Sequence, residues 1–185
     1  QFDFYDGGGL DIAVLGMAQM DANGHVNVSK FGRKLAGAGG FINISQTARK
    51  IVFVGTFTAN GLEVSINEGE LNIENEGSVA KIVPDVEQIT FNAKFALENE
   101  QQVLYVTERC VFELTDAGIE LIEVAPGVDL QTDILAQLPF EPIVNDPAPM
   151  DPRIFNDAPM GLVQRDELTT RRRAKQTENL KPRAA

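Results

Sequence analysis

The sequence predicts an α/β fold, and three stretches carry that prediction. Residues 50–57 (Lys-Ile-Val-Phe-Val-Gly-Thr-Phe) are β-branched and apolar without alternation. Such a strand is covered on both faces, which implies helices packed on a sheet rather than an open antiparallel one. In residues 129–138, Asp129 stands where an N-cap belongs. Leu130, Ile134, Leu135 and Leu138 recur at helical spacing, and Pro139 ends the run. Residues 62–67, 70–74 and 79–83 instead alternate at period two, with Glu68-Gly69 and Glu76-Gly77 between them. The expected fold is therefore a mixed sheet with packed helices plus an antiparallel meander around residues 62–91.

The other elements follow in order. The main body opens at Asp11, and residues 12–20 read as the first strand of a hairpin. Asp21-Ala22-Asn23-Gly24 is its turn, because Asn-Gly readily supplies positive φ, and Val26-Asn27-Val28 returns. Residues 41–48 read as the first turns of a helix. Residues 103–107 form a strand leading to residues 109–114, and Asp116-Ala117-Gly118 turns into residues 119–124. There is no internal repeat.

Composition narrows the function. With 185 residues the prior is one domain, or one domain plus a tail. A net charge of −11 disfavours a general nucleic-acid or anionic-membrane surface. The single cysteine, Cys110, excludes an intrachain disulfide and a Cys-clustered metal site, and it reads as a core residue. The single histidine, His25, argues against a His-rich zinc site or a Ser-His-Asp triad, and beside a hairpin turn it reads as a solvated residue without chemistry. No apolar run approaches the ~20 residues that span a bilayer. No signal peptide is visible, and the chain opens without methionine, as a piece of something longer would.

Charge and proline divide the chain into residues 1–139, the main domain, 140–164, an extended arm, and 165–185, a tail. Six of the nine prolines lie between Pro139 and Pro159, which forbids regular helix or central strand there. The arm is expected to lie over a surface, anchored by Phe155, Met160, Leu162 and Val163. The tail holds seven basic and three acidic residues and reads as solvated or disordered.

The most suggestive chemistry is in Gly37-Ala38-Gly39-Gly40. Three glycines in four positions permit positive φ and close approach of a ligand to backbone amides. Such amides form an anion nest that holds a phosphate or stabilises an oxyanion, strengthened where a helix begins. The loop lacks the spacing of a P-loop or of a dinucleotide fingerprint, so a tight connection needing small residues stands as the alternative.

Several segments in order resemble the family I coenzyme A transferases, within them the acetate/propionate-type and 3-oxoacid enzymes. They are Gly8-Gly9-Leu10-Asp11-Ile12-Ala13-Val14-Leu15-Gly16, Asn23-Gly24, Val28-Ser29-Lys30-Phe31-Gly32, Gly37-Ala38-Gly39-Gly40-Phe41-Ile42-Asn43-Ile44 and Lys50-Ile51-Val52-Phe53. The likeness continues through Glu87-Gln88-Ile89-Thr90-Phe91, Val106-Thr107-Glu108-Arg109, Val111-Phe112 and Ala125-Pro126-Gly127-Val128-Asp129-Leu130, covering residues 1 to about 163.

The resemblance implies the C-terminal, β-subunit-like part of an enzyme that moves CoA from an acyl-CoA to a free carboxylic acid. In that family a glutamate attacks the thioester, and acyl-glutamyl anhydride and glutamyl-CoA intermediates follow. It implies that Gly39 and Gly40 line the CoA thioester site. It places Thr107-Glu108 near the active site, where a salt bridge between Glu108 and Arg109 is the plainer reading. Asp11 is a candidate substrate contact or simply a strand-entry turn, and Ser29 and Lys30 reach a CoA phosphate or are exposed polar residues. The family's Glu-x-Gly nucleophile segment lies upstream of this chain. Glu74-Asn75-Glu76-Gly77 looks like it but sits on the wrong side of the glycine loop, so this chain carries no catalytic nucleophile and is expected to be inactive alone.

Further implications are short-chain acids as substrates, in short-chain fatty-acid or ketone-body metabolism, and a cytoplasmic setting. The expected partners are CoA thioesters, short-chain carboxylates, the N-terminal part of the enzyme and further copies in a homo-oligomer. CoA serves as substrate, with no covalently bound cofactor, metal, nucleic acid or membrane. The rival readings are an acyl-CoA hydrolase on the same scaffold and a non-catalytic interaction domain.

Overall fold

The computed structural model describes residues 1–162. The expectations for Val163 and the tail at 165–185 lie outside the described residues. Helix α1 (Phe2–Asp6) precedes strand β1 (Ile12–Gly16). Two small hairpins follow, β2 (Gln19–Asp21) with β3 (Val26–Asn27), and β4 (Lys30–Phe31) with β5 (Lys34–Leu35). Helix α2 (Phe41–Thr47) leads into β6 (Lys50–Val54). Next come β7 (Thr58–Ala59), β8 (Glu63–Asn67), β9 (Glu70–Asn75), β10 (Val79–Ala80) and β11 (Ile82–Val83). Helix α3 (Ala93–Glu98) precedes β12 (Gln102–Val106), β13 (Cys110–Thr115) and β14 (Gly118–Val124). A π-helical turn (Leu130–Ile134), a 3-10 turn (Leu135–Gln137), β15 (Ile143–Pro149) and a last 3-10 turn (Pro152–Phe155) complete the described chain.

Six strands form one mixed sheet in the order β1-β6-β12-β13-β14-β15. β1, β6 and β12 are parallel, β13 is antiparallel to both neighbours, and β15 runs parallel to β14. The predicted α/β class and mixed sheet are thus present. Residues of α2 and α3 share the main core with one face of this sheet, where Ile51, Phe53, Val103, Tyr105 and Phe112 are wholly buried. Phe53 is the hub. Its ring stacks on Phe41 at 5.7 Å and on Tyr105 at 5.6 Å, and meets Phe91 edge-on at 4.9 Å. Such aromatic pairs add to the burial of their area.

Several expectations need correction. Residues 12–20 are not one strand: β1 joins the large sheet, while β2 belongs to a separate sheet with β3 and β11. The apolar run divides after Met17: the Met17 amide still donates to the Val54 carbonyl of β6, whereas the Met20 amide donates to the Lys81 carbonyl. The Asn23-Gly24 turn itself is real. Gly24 has φ +83°, and a Cβ there would stand 2.7 Å from the Tyr105 hydroxyl, which donates to the Gly24 carbonyl at 2.6 Å. The strand at residues 50–57 stops at Val54 and is not covered on both faces. Ile51 and Phe53 are buried, but Val54 is 44% exposed, since α2 and α3 lie on one side only.

The meander is a single hairpin, β8 with β9. Val79–Ala80 pairs instead with β7, and Ile82–Val83 runs parallel to β2. Glu76-Gly77 is no hairpin turn, because β9 pairs with β8 and β10 with β7 rather than with each other, and the Glu76 side chain is engaged by Arg109. Asp129 caps as expected, accepting from the amides of Gln131 and Thr132, but the segment is not a regular α-helix. Arg109 takes the Asp133 carbonyl at 3.0 Å, a group that an α-helix uses internally.

Within the proline-rich stretch, residues 143–149 form β15 at the edge of the sheet, where prolines such as Pro147 and Pro149 are tolerated. Phe155 is buried beside Met150 against Leu71, Val111 and Ala125, whereas Leu162 is 57% exposed and anchors nothing. Among the described residues no helix is long and apolar enough to cross a membrane.

Phe53→Ala should lower stability by about 3–5 kcal/mol, the usual range for a wholly buried aromatic. Urea unfolding followed by circular dichroism checks this.

Candidate functional site

The site begins with the direction of α2. The amide of Arg49, just past its end, donates to the Leu10 carbonyl, and the Arg49 carbonyl accepts from Gln102. The helix therefore ends at the N-terminal edge of β1, β6 and β12. Its start lies at the level of Phe53, one residue from the end of β6, as the Phe41–Phe53 stack requires. Gly40 thus faces the carboxyl edge of the parallel strands, where α/β sheets meet their ligands. Gly16, Gly55 and Thr107-Glu108 continue those strands at the same edge.

The bend itself is held from below. The amides of Ala36 and Gly37 donate to the Ser29 carbonyl at 2.8 and 3.1 Å, and Phe41 donates to Ala38 at 3.0 Å. Gly37 and Gly39 take φ of +81° and +54°, which glycine adopts without strain. No acceptor among the described residues takes the amide protons of Gly39 or Gly40. A Cβ at Gly39 would meet nothing within 4 Å, and one at Gly40 only Ile44 at 3.7 Å and Phe2 at 3.9 Å. Neighbouring side chains leave the bend open, with two amides uncommitted among the described residues.

A second cluster sits past the end of β12. Arg109 is wholly buried. Its Nε donates to Glu108 Oε1 at 2.7 Å, and its Nη1 and Nη2 grip both oxygens of Glu76 at 2.8 and 3.0 Å. The guanidinium carbon lies 4.5 Å from the centre of the Phe57 ring. Glu108 accepts a further bond through Oε2 from the Phe57 amide at 2.8 Å, and Thr58 donates to Glu76. Burial pushes the Glu76 carboxyl upward, but hydrogen bonds from Arg109 and Thr58, the Arg109 charge and the Gly77 amide outweigh it, so it is held below its ordinary value. Lys81 is pushed down by burial, against the opposing pull of Glu108. Two cations and two carboxylates thus nearly balance.

Glu108 therefore has the salt bridge that was its plainer reading, and it also lines an apolar cavity of about 530 Å³ beneath β8 and β9. Gly39 and Gly40 do not line that cavity. Sequence reasoning missed Glu76 as Arg109's main partner and missed Lys81. An arginine ahead of an apolar strand was the available signal, since a buried guanidinium needs more than one acceptor.

The remaining candidates are engaged otherwise. Asp11 is exposed before β1, 3.7 Å from Arg49. Ser29 is buried, not exposed, and its hydroxyl meets Thr90 at 2.8 Å, while Lys30 pairs with Glu87. His25 is not solvated but half-buried, its Nδ1 accepting from the Ala93 amide at the start of α3. Cys110 is in the core, where burial pushes its thiol up to about 12, unsuited to nucleophilic work. No group of three or more His, Cys, Asp or Glu among the described residues is placed to hold a metal.

Comparison with known proteins finds sequence relatives and solved structures, among them the following. The chain is 51% identical over 164 residues to acetate CoA-transferase YdiF of Escherichia coli strain K12, an alignment covering 88% of this chain and 31% of that protein. It is 52% identical over 167 residues to a caffeate CoA-transferase of Acetobacterium woodii, covering 87% of this chain and 32% of that one. The apoenzyme structure of acyl-CoA transferase YdiF from Escherichia coli O157:H7 superposes with a TM-score of 0.84 at 51% identity, over 86% of this chain and 31% of that chain. That enzyme has also been solved as a thioester complex with CoA. The chain spans about a third of the length of these relatives. No protein-family model matches it.

The Glu76–Arg109 pair yields a pH prediction. A carboxyl held below 4.5 in the fold stabilises it above that pH, and the contribution is lost as pH falls through the lower folded value. Glu76→Gln should therefore cost on the order of 1–2 kcal/mol at pH 7, allowing for solvent screening, and less at pH 3.5. Urea midpoints at both pH values test it.

Proposed function

The chain is homologous to a C-terminal part of the family I coenzyme A transferases, and from that premise we propose that it supplies one wall of an acyl-CoA:carboxylate exchange site. The observation that carries this reading is the open glycine bend, with its unclaimed amides at the carboxyl edge of the parallel strands. In the proposed reaction a glutamate upstream of this chain attacks the thioester carbonyl. The CoA thiolate leaves and an acyl-glutamyl anhydride forms. The thiolate then attacks the glutamyl carbonyl, releasing the first carboxylate and giving the glutamyl-CoA thioester. On this the acceptor carboxylate runs the two steps in reverse and frees the glutamate. Each addition builds an oxyanion, and the Gly39 and Gly40 amides would receive it. One such donor is typically worth about 2.7–4 kcal/mol of transition-state stabilisation.

Glu108 is proposed as a supporting residue. Its carboxylate is fixed by Arg109 and the Phe57 amide, so its charge stands at a constant position at that edge. Asp11, exposed at the opposite end of β1, is the weaker candidate for substrate contact. The resemblance to the 3-oxoacid and acetate/propionate-type enzymes supports short-chain acids, short-chain fatty-acid or ketone-body metabolism, a cytoplasmic setting and a homo-oligomer as parts of the same proposal.

Two measurements test it. The purified 185-residue chain should show no CoA exchange between acetyl-CoA and a free carboxylate; turnover by that chain would contradict the placement of the nucleophile. In an extended polypeptide, made by joining the upstream two thirds of the Escherichia coli relative to this chain, Gly40→Val should lower kcat about 100-fold. Gly40 has φ −86°, so the fold tolerates the side chain while the approach to the amide narrows. Unchanged turnover would sink the role of the bend.

A further inference from the structure

Lys81 stands between β10 and β11, and its backbone is fixed there. Its carbonyl accepts from the Met20 amide at 2.9 Å, and β11 runs parallel to β2. The side chain reaches the carboxyl edge of the parallel strands. A Cβ built on Gly55, the residue after β6, would fall 2.7 Å from Lys81 Nζ. The same Cβ would fall 2.8 Å from the carbonyl oxygen of Met17, the residue after β1. Gly55 is tied in turn to β12, its amide donating to the Val106 carbonyl at 3.0 Å. Glycine at position 55 thus leaves the ammonium its place over the ends of these strands, where the charge of Glu108 also acts on it.

What this ammonium lacks is an acceptor. Among the described residues no hydrogen bond or close ion pair engages Lys81 Nζ. Glu108 is turned elsewhere, Oε1 to Arg109 Nε at 2.7 Å and Oε2 to the Phe57 amide at 2.8 Å. Glu76 is gripped through both oxygens by Arg109. An ammonium carries three donors, and partial burial works against its charge, so an anion seated beside it would offset both.

We propose that Lys81 binds the carboxylate group of the acid that exchanges with CoA and holds it at this edge for attack on the thioester. The inference rests on the exchange reading above and goes beyond it, since the glycine bend serves the thioester and not the acid. A monocarboxylate suits the place better than a phosphate of CoA. The Glu108 charge stands nearby, and it repels a phosphate dianion more strongly than a singly charged carboxylate.

The test uses the extended polypeptide, converted by acetyl-CoA to its glutamyl-CoA form and freed of small molecules. Acetate attacks the glutamyl carbonyl and CoA leaves as thiolate, which then takes the acetyl group and frees the glutamate. Hydroxylamine attacks the same carbonyl as a neutral nucleophile, releasing CoA as its thiol and leaving a glutamyl hydroxamate. Lys81→Met should slow the reaction with acetate about 10- to 100-fold, as loss of a charge-assisted hydrogen bond does, and change that with hydroxylamine by less than about threefold. Lys81→Arg, which keeps the charge, should retain most of the acetate rate. An acetate rate unchanged in Lys81→Met, with only the formation of glutamyl-CoA slowed or nothing slowed, would overturn the proposal. So would equal slowing with acetate and hydroxylamine, because the charge would then serve the oxyanion and not the acid. An unsubstituted polypeptide that forms no glutamyl-CoA would bring down the exchange reading itself, and this inference with it.

Discussion

The Phe53 ring, held between Phe41 and Tyr105, is the contact on which the rest of the structure depends. It ties the first turn of α2 to the two inner parallel strands, and so decides how far along the sheet that helix begins. Gly39 and Gly40 immediately precede that turn. Their position at the carboxyl edge is a consequence of aromatic packing several ångströms below them. Tyr105 extends the same constraint, since its hydroxyl reaches the Gly24 carbonyl and pins the hairpin that precedes Ser29, whose own carbonyl anchors the bend. A glycine-rich loop is flexible by composition, and this one is defined because its two flanks are fixed.

The Arg109 cluster works differently. Removing a guanidinium from water is costly, and it is tolerable only when its donors are satisfied. Glu76, Glu108 and the Asp133 carbonyl do so, and they come from three distant parts of the chain. The cluster therefore joins the exit of β9, the exit of β12 and the helical turn after β14 at one point. The same arrangement holds a carboxylate, Glu108, at the mouth of an apolar cavity. Structural ion pairing and a place beside the reaction are compatible at this residue.

What the sequence revealed was local or came from ordered motifs. The α/β class followed from the apolar run at 50–57, the Asn23-Gly24 turn from its dipeptide, and the Asp129 cap from its spacing to Leu130. Less visible was anything set by long-range partners. Residues 12–20 look continuous, yet they feed two sheets. Residues 79–83 alternate like a third meander strand, but Val79–Ala80 and Ile82–Val83 pair with strands far away in sequence. Glu76 looked like part of a polar turn because nothing local announces a buried arginine 33 residues onward. Ser29 and His25 were misjudged for the same reason, their partners being Thr90 and Ala93. At the candidate site the glycine bend was legible from composition alone, whereas its orientation required the Phe41–Phe53 stack.

The central claim is that the amides of Gly39 and Gly40 face the thioester end of CoA. Selective glycine 15N labelling of the extended polypeptide tests it most directly, with amide resonances followed as an acyl-CoA is added. The account predicts large shifts at Gly39 and Gly40, with Gly69 and Gly118, in hairpin turns elsewhere, unmoved. Saturation with acyl-CoA that leaves the Gly39 and Gly40 resonances in place would contradict it.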